Sequence, residues 1–268
     1  MTIQLCVVTA APIEFKTAAK LLRDPKPTAL RGMTVTRGRF AQSEVTLLQS
    51  QIGAPGFSEQ LQQLIATSHF EALLVVGLAG ALDPALRTGD VVIYDSCLDA
   101  RAAEKQFPDF VSANRENSRP RDEFASIACD ARFGKQLFEA VQQRGLRSQY
   151  GAGALVERII IKARHKAALF QQTQAAVVDM ETWLIFKALA DATALPFAAL
   201  RVVLDEARHD LPDFNAALSA TGHMRFWPTL RALAARPRAS NRFLLSLRPA
   251  LQSLERTMQA TFTCLTSR

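Results

Sequence analysis

A chain of 268 residues, 49% hydrophobic and 21% charged, is long enough to bury a full core and too apolar for a disordered polypeptide. No apolar run approaches the roughly 20 residues of a membrane span, and Met1-Thr2-Ile3-Gln4-Leu5 has no basic start of a secretory signal, so a cytoplasmic protein is expected. The net charge of +7 sits at one end: Arg225 to Arg268 hold eight arginines and one glutamate, while residues 1–224 balance at 24 basic and 24 acidic, so the charge does not argue for nucleic-acid binding by the whole fold.

Ile3–Val8 predicts a buried first strand, and Pro12 suits the first turn of a helix with Ile13, Ala18, Leu21 and Leu22 turned inward. Met33–Phe40 and Val45–Ser50 read as two strands with a short turn between them. Gly53-Ala54-Pro55 opens a helix carrying Phe57, Leu61, Leu64 and Ile65 at helical spacing. The continuous apolar run Ala72–Ala79 fits a strand covered on both faces, with Gly77-Leu78-Ala79-Gly80 at its end either admitting a ligand to the backbone or making a packing turn. Val91–Tyr94 is a further strand after Thr88-Gly89-Asp90.

Residues 98–125 turn polar, broken by Pro108 and Pro120, and suggest a surface excursion serving as a lid or a subunit contact. Phe133, Leu137 and Val141 mark a helix that Gly145 stops. A strand at Gly151–Ile161, a helix from Lys162 to Gln171, a buried helix at Trp183–Leu189 and a strand at Phe197–Leu204 follow. This alternation predicts an α/β fold of three layers, a central mixed sheet flanked by helices. The predicted domain spans 1–224, and 225–268 form a basic helical extension in which Leu251, Leu254, Met258 and Phe262 share one face. That face packs on the domain or on a partner subunit, or lies at a membrane surface. Pro249 argues against one straight helix over 243–262.

Two segments carry the chemistry. Ala176-Val177-Val178-Asp179-Met180-Glu181 and Phe197-Ala198-Ala199-Leu200-Arg201-Val202-Val203-Leu204-Asp205 are apolar strands that end in acids. Neighbouring strand ends are where an α/β sheet assembles a small-molecule site. Glu14, just after the first strand, serves either such a site or the dipole of its helix, and Asp179 and Glu181 equally suit a helix cap and a first-turn acid. His69, His165, His209 and His223 lack metal-ligand spacing, and Cys6, Cys97, Cys129 and Cys264 form no CxxC. No metal site and no organic cofactor are expected.

Read together, Thr9-Ala10-Ala11-Pro12-Ile13-Glu14, Gln51-Ile52-Gly53, the block from Val76 to Val92 with its Gly-Leu-Ala-Gly-Ala-Leu-Asp-Pro core, Val178-Asp179-Met180-Glu181-Thr182 and Arg201–Asp205 resemble the nucleoside phosphorylase and nucleosidase superfamily. The resemblance covers about residues 3–207 and is greatest to methylthioadenosine/S-adenosylhomocysteine nucleosidases. Asp210-Leu211-Pro212 and the basic tail are similar to the hopanoid-associated branch acting on adenosylhopane.

The resemblance implies release of adenine from a 5′-modified adenosine by a homodimer. It makes Asp205 the acid serving purine N7, kept protonated by a desolvated strand end, and Glu14 the base holding the attacking water. Glu181 binds the ribose hydroxyls, Asp179 stands beside it and Met180 packs on the sugar. Gly77, Leu78 and Ala79 line the substrate, and Ile159 or Ile160 meets adenine. Phosphorolysis remains the alternative, with Arg37, Arg39 or a neighbouring subunit holding phosphate, and a catalytically weak nucleoside-binding protein is the other. Leu78 and Leu204 replace hydroxyl residues usual in the family; without the second hydroxyl, Asp205 loses an orienting hydrogen bond.

Overall fold

The strand Ala72–Ala81 is the hub of the chain in a computed structural model that describes residues 3–30, 33–53, 56–107, 124–190 and 195–266. In chain order the strands are β1 (Gln4–Thr9), β2 (Arg23–Leu30), β3 (Met33–Phe40), β4 (Ser43–Gln49), β5 (Ala72–Ala81), β6 (Val91–Asp99), β7 (Ser126–Ala128), β8 (Ser148–Leu155), β9 (Val177–Asp179) and β10 (Phe197–Asp205). The helices are α1 (Pro12–Ala19), α2 (Phe57–Ala66), α3 (Arg101–Glu104), α4 (Ala131–Gln143), α5 (Ala163–Thr173), α6 (Thr182–Ala190), α7 (Phe226–Ala235) and α8 (Pro237–Thr266).

The expected mixed sheet with flanking helices is present, and one half of it closes on itself. β5 pairs in parallel with β10 and antiparallel with β9, and β10, β6, β8 and β9 complete a ring. On the edge opposite β10, ahead of β9, β5 pairs with β1, from which β4, β3 and β2 extend. Alternation along β1 and β5 sorts the two faces. Leu5, Val7, Leu74 and Val76 meet Ala18, Phe133, Leu137 and Val141 of α1 and α4. Cys6, Val8, Leu73 and Val75 meet Phe57, Leu61, Leu64, Ile185 and Phe186 of α2 and α6. A third cluster gathers Leu82, Leu98, Phe107, Ile160 and Leu169 under α3 and α5.

Local chemistry explains most element ends. Pro12 occupies the first turn of α1, Asp130 caps α4 by accepting from the Phe133 N–H at 2.7 Å, and Gly145 ends the following turn at φ +66°.

Several expectations need correction. β2 has no counterpart among the predicted elements; its Arg-Asp-Pro-Lys-Pro stretch lacks an apolar alternation, and an edge strand tolerates those prolines. The Gly77-Leu78-Ala79-Gly80 run is not a turn, since β5 continues through it to Ala81. β8 stops at Leu155, short of Ile161, and the loop that follows reaches the site. Ile13 is not a core residue but 41% exposed. Helix α8 runs unbroken through Pro249, because Ala250, Leu254, Met258 and Phe262 are wholly buried beyond it and the Ser253 hydroxyl donates to the Gly89 carbonyl at 2.6 Å. The second half of the tail therefore belongs to the same core as β1 and β5. The surface excursion expected over 98–125 is corrected at both ends: β6 runs to Asp99, α3 follows, and Ala103, Phe107 and Phe124 are buried in the third cluster, because the polar run is interrupted by apolar residues. Residues 108–123, with Ala54 and Pro55, lie outside the described residues.

Candidate active site

Register brings the acids together. At the end of β5, Gly80 is paired on one side with Val178 of β9 and on the other with Asp205 of β10, so Asp205 and the residue just before Asp179 flank one glycine. In β10, Val203 and Asp205 stand opposite consecutive residues Ala79 and Gly80. Leu204 is thus the extra residue of a bulge, the device by which a strand re-aims a side chain. β1 runs parallel beside β5 and delivers Ala10 and the first turn of α1, with Glu14, to the same rim.

The result is a cavity of about 360 Å³ lined by Glu14, Glu181 and Asp205 on one side and by Ile13, Leu78, Ile160, Met180, Leu204, Leu211, Phe214, Phe243 and Leu247 around the rest. Its size and its few polar groups on an apolar wall suit a small organic ligand. Of the ten residues singled out in the sequence, Glu14, Leu78, Ala79, Ile159, Ile160, Asp179, Met180, Glu181 and Asp205 line it. Gly77 does not. It lies behind the wall, where a Cβ would fall 2.5 Å from Arg201 Nη1 and 2.8 Å from Glu14 Oε1, so glycine here makes room for both side chains.

Glu14 is buried and held by three backbone amides. Its Oε2 accepts from the N–H groups of Ala10 and Ala11, each at 2.9 Å, and its Oε1 from Leu78 N–H at 2.7 Å. Three amide donors pointing at one spot form an anion cradle, and here the chain's own carboxylate fills it.

Glu181 is fixed by Gly53, whose φ of +77° turns its N–H onto Oε1 at 2.9 Å, and by Arg201 Nη2 at 3.3 Å from Oε2. Burial pushes the Glu181 carboxyl up to about 7; Arg201 opposes this, while the charge of Asp179 adds to it. Asp179 spends its lone pairs inside the protein. It accepts from Tyr94 Oη at 2.7 Å, Arg201 Nε at 3.1 Å, the Thr182 hydroxyl and the N–H groups of Glu181 and Thr182. Those five donors exceed the four lone-pair sites of a carboxylate. Burial works to raise the Asp179 carboxyl, but Arg201 and the Thr182 and Tyr94 hydroxyls outweigh it and hold the group below the usual range. Arg201 is correspondingly more basic than a free guanidinium, because Asp179 and Glu181 outweigh its burial.

Asp205 meets a residue that the sequence reading did not single out. Lys166 of α5 is wholly buried, and its ammonium donates to Asp205 Oδ2, to the Glu206 carbonyl at 3.1 Å and to the His209 carbonyl at 3.2 Å. The sequence points to a partly desolvated strand end at Asp205; the structure adds a buried ammonium that donates to it. Arg201 and Tyr94 were also missed. A charged residue in the middle of the apolar run Phe197–Leu204 was the available signal for Arg201, since such a side chain must find buried partners. For Lys166 no such signal exists.

The loop between β8 and α5 is pinned from two sides. Glu104, fully buried, accepts from the Glu157 N–H at 2.6 Å and the Arg158 N–H at 2.9 Å. Asn215 donates to the Ile159 carbonyl at 3.0 Å and accepts from its N–H at 2.9 Å. Ile159 thus meets the cavity with its side chain while its backbone is engaged elsewhere. Arg37 and Arg39, considered for phosphate, lie on β3 along a separate depression with Glu44 and His69. Among the described residues no group of three His, Cys, Asp or Glu side chains is placed to hold a metal ion.

A ring-closed mixed sheet with acids gathered at the end of its central strand defines an α/β protein with a nucleoside phosphorylase-like architecture. Residues 4–225 match the phosphorylase superfamily, and the chain belongs to that family. It is 32% identical over 87 residues to a 5′-methylthioadenosine/S-adenosylhomocysteine nucleosidase of Pseudoalteromonas translucida (strain TAC 125), a match spanning 32% of this chain and 37% of that relative. The fold is shared with futalosine hydrolase of Helicobacter pylori strain 26695, with a TM-score of 0.70, 16% identity and 97% of each chain covered. It is also shared with S-adenosylhomocysteine nucleosidase of Streptococcus pyogenes in complex with 5-methylthiotubericidin, with a TM-score of 0.71, 19% identity and 99% of this chain and 97% of that one covered.

Proposed function

We propose that this protein is a nucleosidase that hydrolyses the N-glycosidic bond of a 5′-modified adenosine and releases adenine. The observation that carries the reading is the convergence of Glu14, Glu181 and Asp205, distant in sequence, on one cavity of nucleoside size. In this reading Glu14 takes a proton from water as it attacks C1′. Glu181 accepts from the ribose hydroxyls and steadies the cationic sugar. Asp205 passes a proton to purine N7, so that adenine leaves neutral. Lys166 donates to Asp205 Oδ2, so the pair shares one proton between a carboxylate and an amine; once it has passed to N7, the proton released at Glu14 restores it through solvent.

Water is favoured over phosphate by the occupancy of the anion cradle. The amides of Ala10, Ala11 and Leu78 already hold a carboxylate, and a phosphate dianion beside Glu14 would meet like charge. Leu78 and Leu204, together with the apolar far wall, support a 5′ substituent that is itself apolar, of the adenosylhopane type, with methylthioadenosine and S-adenosylhomocysteine as smaller members of the class. The reading includes a homodimer; contact of the basic tail with a membrane surface is a separate expectation that the nucleosidase chemistry does not need.

The test is adenine release from methylthioadenosine, S-adenosylhomocysteine, futalosine and an adenosylated hopanoid, each with and without phosphate. Release without phosphate is expected, and Asp205→Asn should lower kcat by about 10²–10⁴-fold, with a loss of stability from the partner it takes from Lys166. Strict phosphate dependence with ribose 1-phosphate as co-product would make the protein a phosphorylase. Tight binding without turnover across the panel would make it a nucleoside-binding protein.

A further inference from the structure

The cavity wall facing the acids is built by a segment that the nucleoside chemistry does not use. Phe214 and Met224 precede α7, Thr229 lies on it, and Phe243 and Leu247 lie on the first half of α8. Phe214 and Phe243 pack as a tilted pair with ring centroids 5.0 Å apart. The Ser240 hydroxyl donates to the Leu233 carbonyl at 2.7 Å and ties the two helices together.

The outer faces of these helices are unlike the rest of the molecule. Six of the eight large hydrophobic residues exposed among the described residues fall between Met224 and Leu245, with Phe226 73% and Trp227 75% exposed and Leu245 68% exposed. Six arginines and no acidic residue occupy 225–248. Arg238, Arg242, Leu245 and Arg248 recur at three- and four-residue spacing on the exposed side of α8. Exposed aromatic and aliphatic side chains interleaved with arginine suit a surface that is apolar beneath and anionic at its face. No described helix is long and apolar enough to cross a membrane, so the helices would lie on such a surface.

We infer that α7 and the first half of α8 form a docking face for an anionic lipid bilayer, placing the apolar end of the cavity at the lipid surface. The docking itself stands on the surface chemistry. That an apolar 5′ substituent enters the cavity from the bilayer rests on the nucleosidase reading.

The experiment uses the full chain and phosphatidylcholine vesicles with and without phosphatidylglycerol. Sedimentation with the anionic vesicles, weakened by salt, is expected. Trp227 emission should shift to the blue on binding, with Trp183 already buried and therefore a constant background. The paired changes Phe226→Ser with Trp227→Ser, and Arg238→Gln with Arg242→Gln, should each weaken vesicle binding by about tenfold or more while release of adenine from soluble methylthioadenosine stays unchanged. No sedimentation of the parent protein, or sedimentation untouched by both pairs, would overturn the proposal. So would a dimer that the Phe226/Trp227 pair converts to monomer without any vesicle binding, which assigns the face to a second copy. Vesicle binding is read without turnover, so failure of adenine release would leave it standing, and the converse holds.

Discussion

Lys166 changes how the acid at the end of β10 is understood. A fully buried ammonium with three acceptors is satisfied as a cation, and one of those acceptors is the carboxylate at the cavity. Removing one partner of such a pair strands the other charge out of water, which costs about 3–5 kcal/mol, whereas removing both is far milder. Lys166→Met should therefore lower stability by that order, and the double change Lys166→Met with Asp205→Asn should recover a large part of the loss in denaturant unfolding. Additive losses in this cycle would show that the two groups do not interact. The acids themselves were visible in the sequence, though position alone left each a structural role, and only the motifs read together pointed to a shared site. Their partners were not visible. Lys166 looks like any solvated helix lysine until α5 is packed against the segment after β10.

At the scale of elements, α8 is the instructive case. Its first half carries an exposed, basic and apolar face, and its second half supplies Leu254, Met258, Phe262 and Leu265 to the core beneath β1 and β5. Phe262 also meets Phe40 edge to face, with centroids 5.4 Å apart. Phe262→Ala should cost about 3–5 kcal/mol of unfolding free energy, and Leu245→Ala, in the exposed half, within about 0.5 kcal/mol of none. Equal effects at both positions in urea titrations would contradict this division. The stripe Leu251, Leu254, Met258 and Phe262 was visible in the sequence as one helical face, but not what it covers. Pro249 misled because the loss of one backbone hydrogen bond is local, while the burial that holds the helix together lies in the next four turns. β2 was hidden for the opposite reason: its prolines lie on an edge strand, where the sheet does not need those donors.

For the molecule as a whole, the buried acids set the dependence of stability on pH. Burial raises Glu104 and Glu181 from 4.5 to about 7, so between those values the folded state keeps protons that the unfolded chain has released. Their contribution is fully present below the unfolded value and is lost as pH rises through about 7. Asp179, held low despite its burial by Arg201 and its hydroxyl donors, contributes in the other direction, and that contribution disappears as the medium becomes strongly acid. His209 at the rim, lowered by burial, opposes the glutamates with a single imidazole. Thermal midpoints should accordingly fall as pH climbs from about 5 to 8, and Glu181→Gln should flatten part of that fall at the expense of turnover. A midpoint that rises across this interval would refute the assignment.

Periodicity and strand-ending acids were enough to establish an α/β chain, and the resemblance of its motifs to a known superfamily pointed to Glu14, Glu181 and Asp205, because hydrophobic spacing and short motifs are local properties. The closure of β5, β10, β6, β8 and β9 into a ring, the bulge at Leu204, the Lys166 ammonium on Asp205 and the carboxylate lodged in the amide cradle depend on which distant segments become neighbours. Register and burial determine those neighbours, and neither is written in any one stretch of the chain.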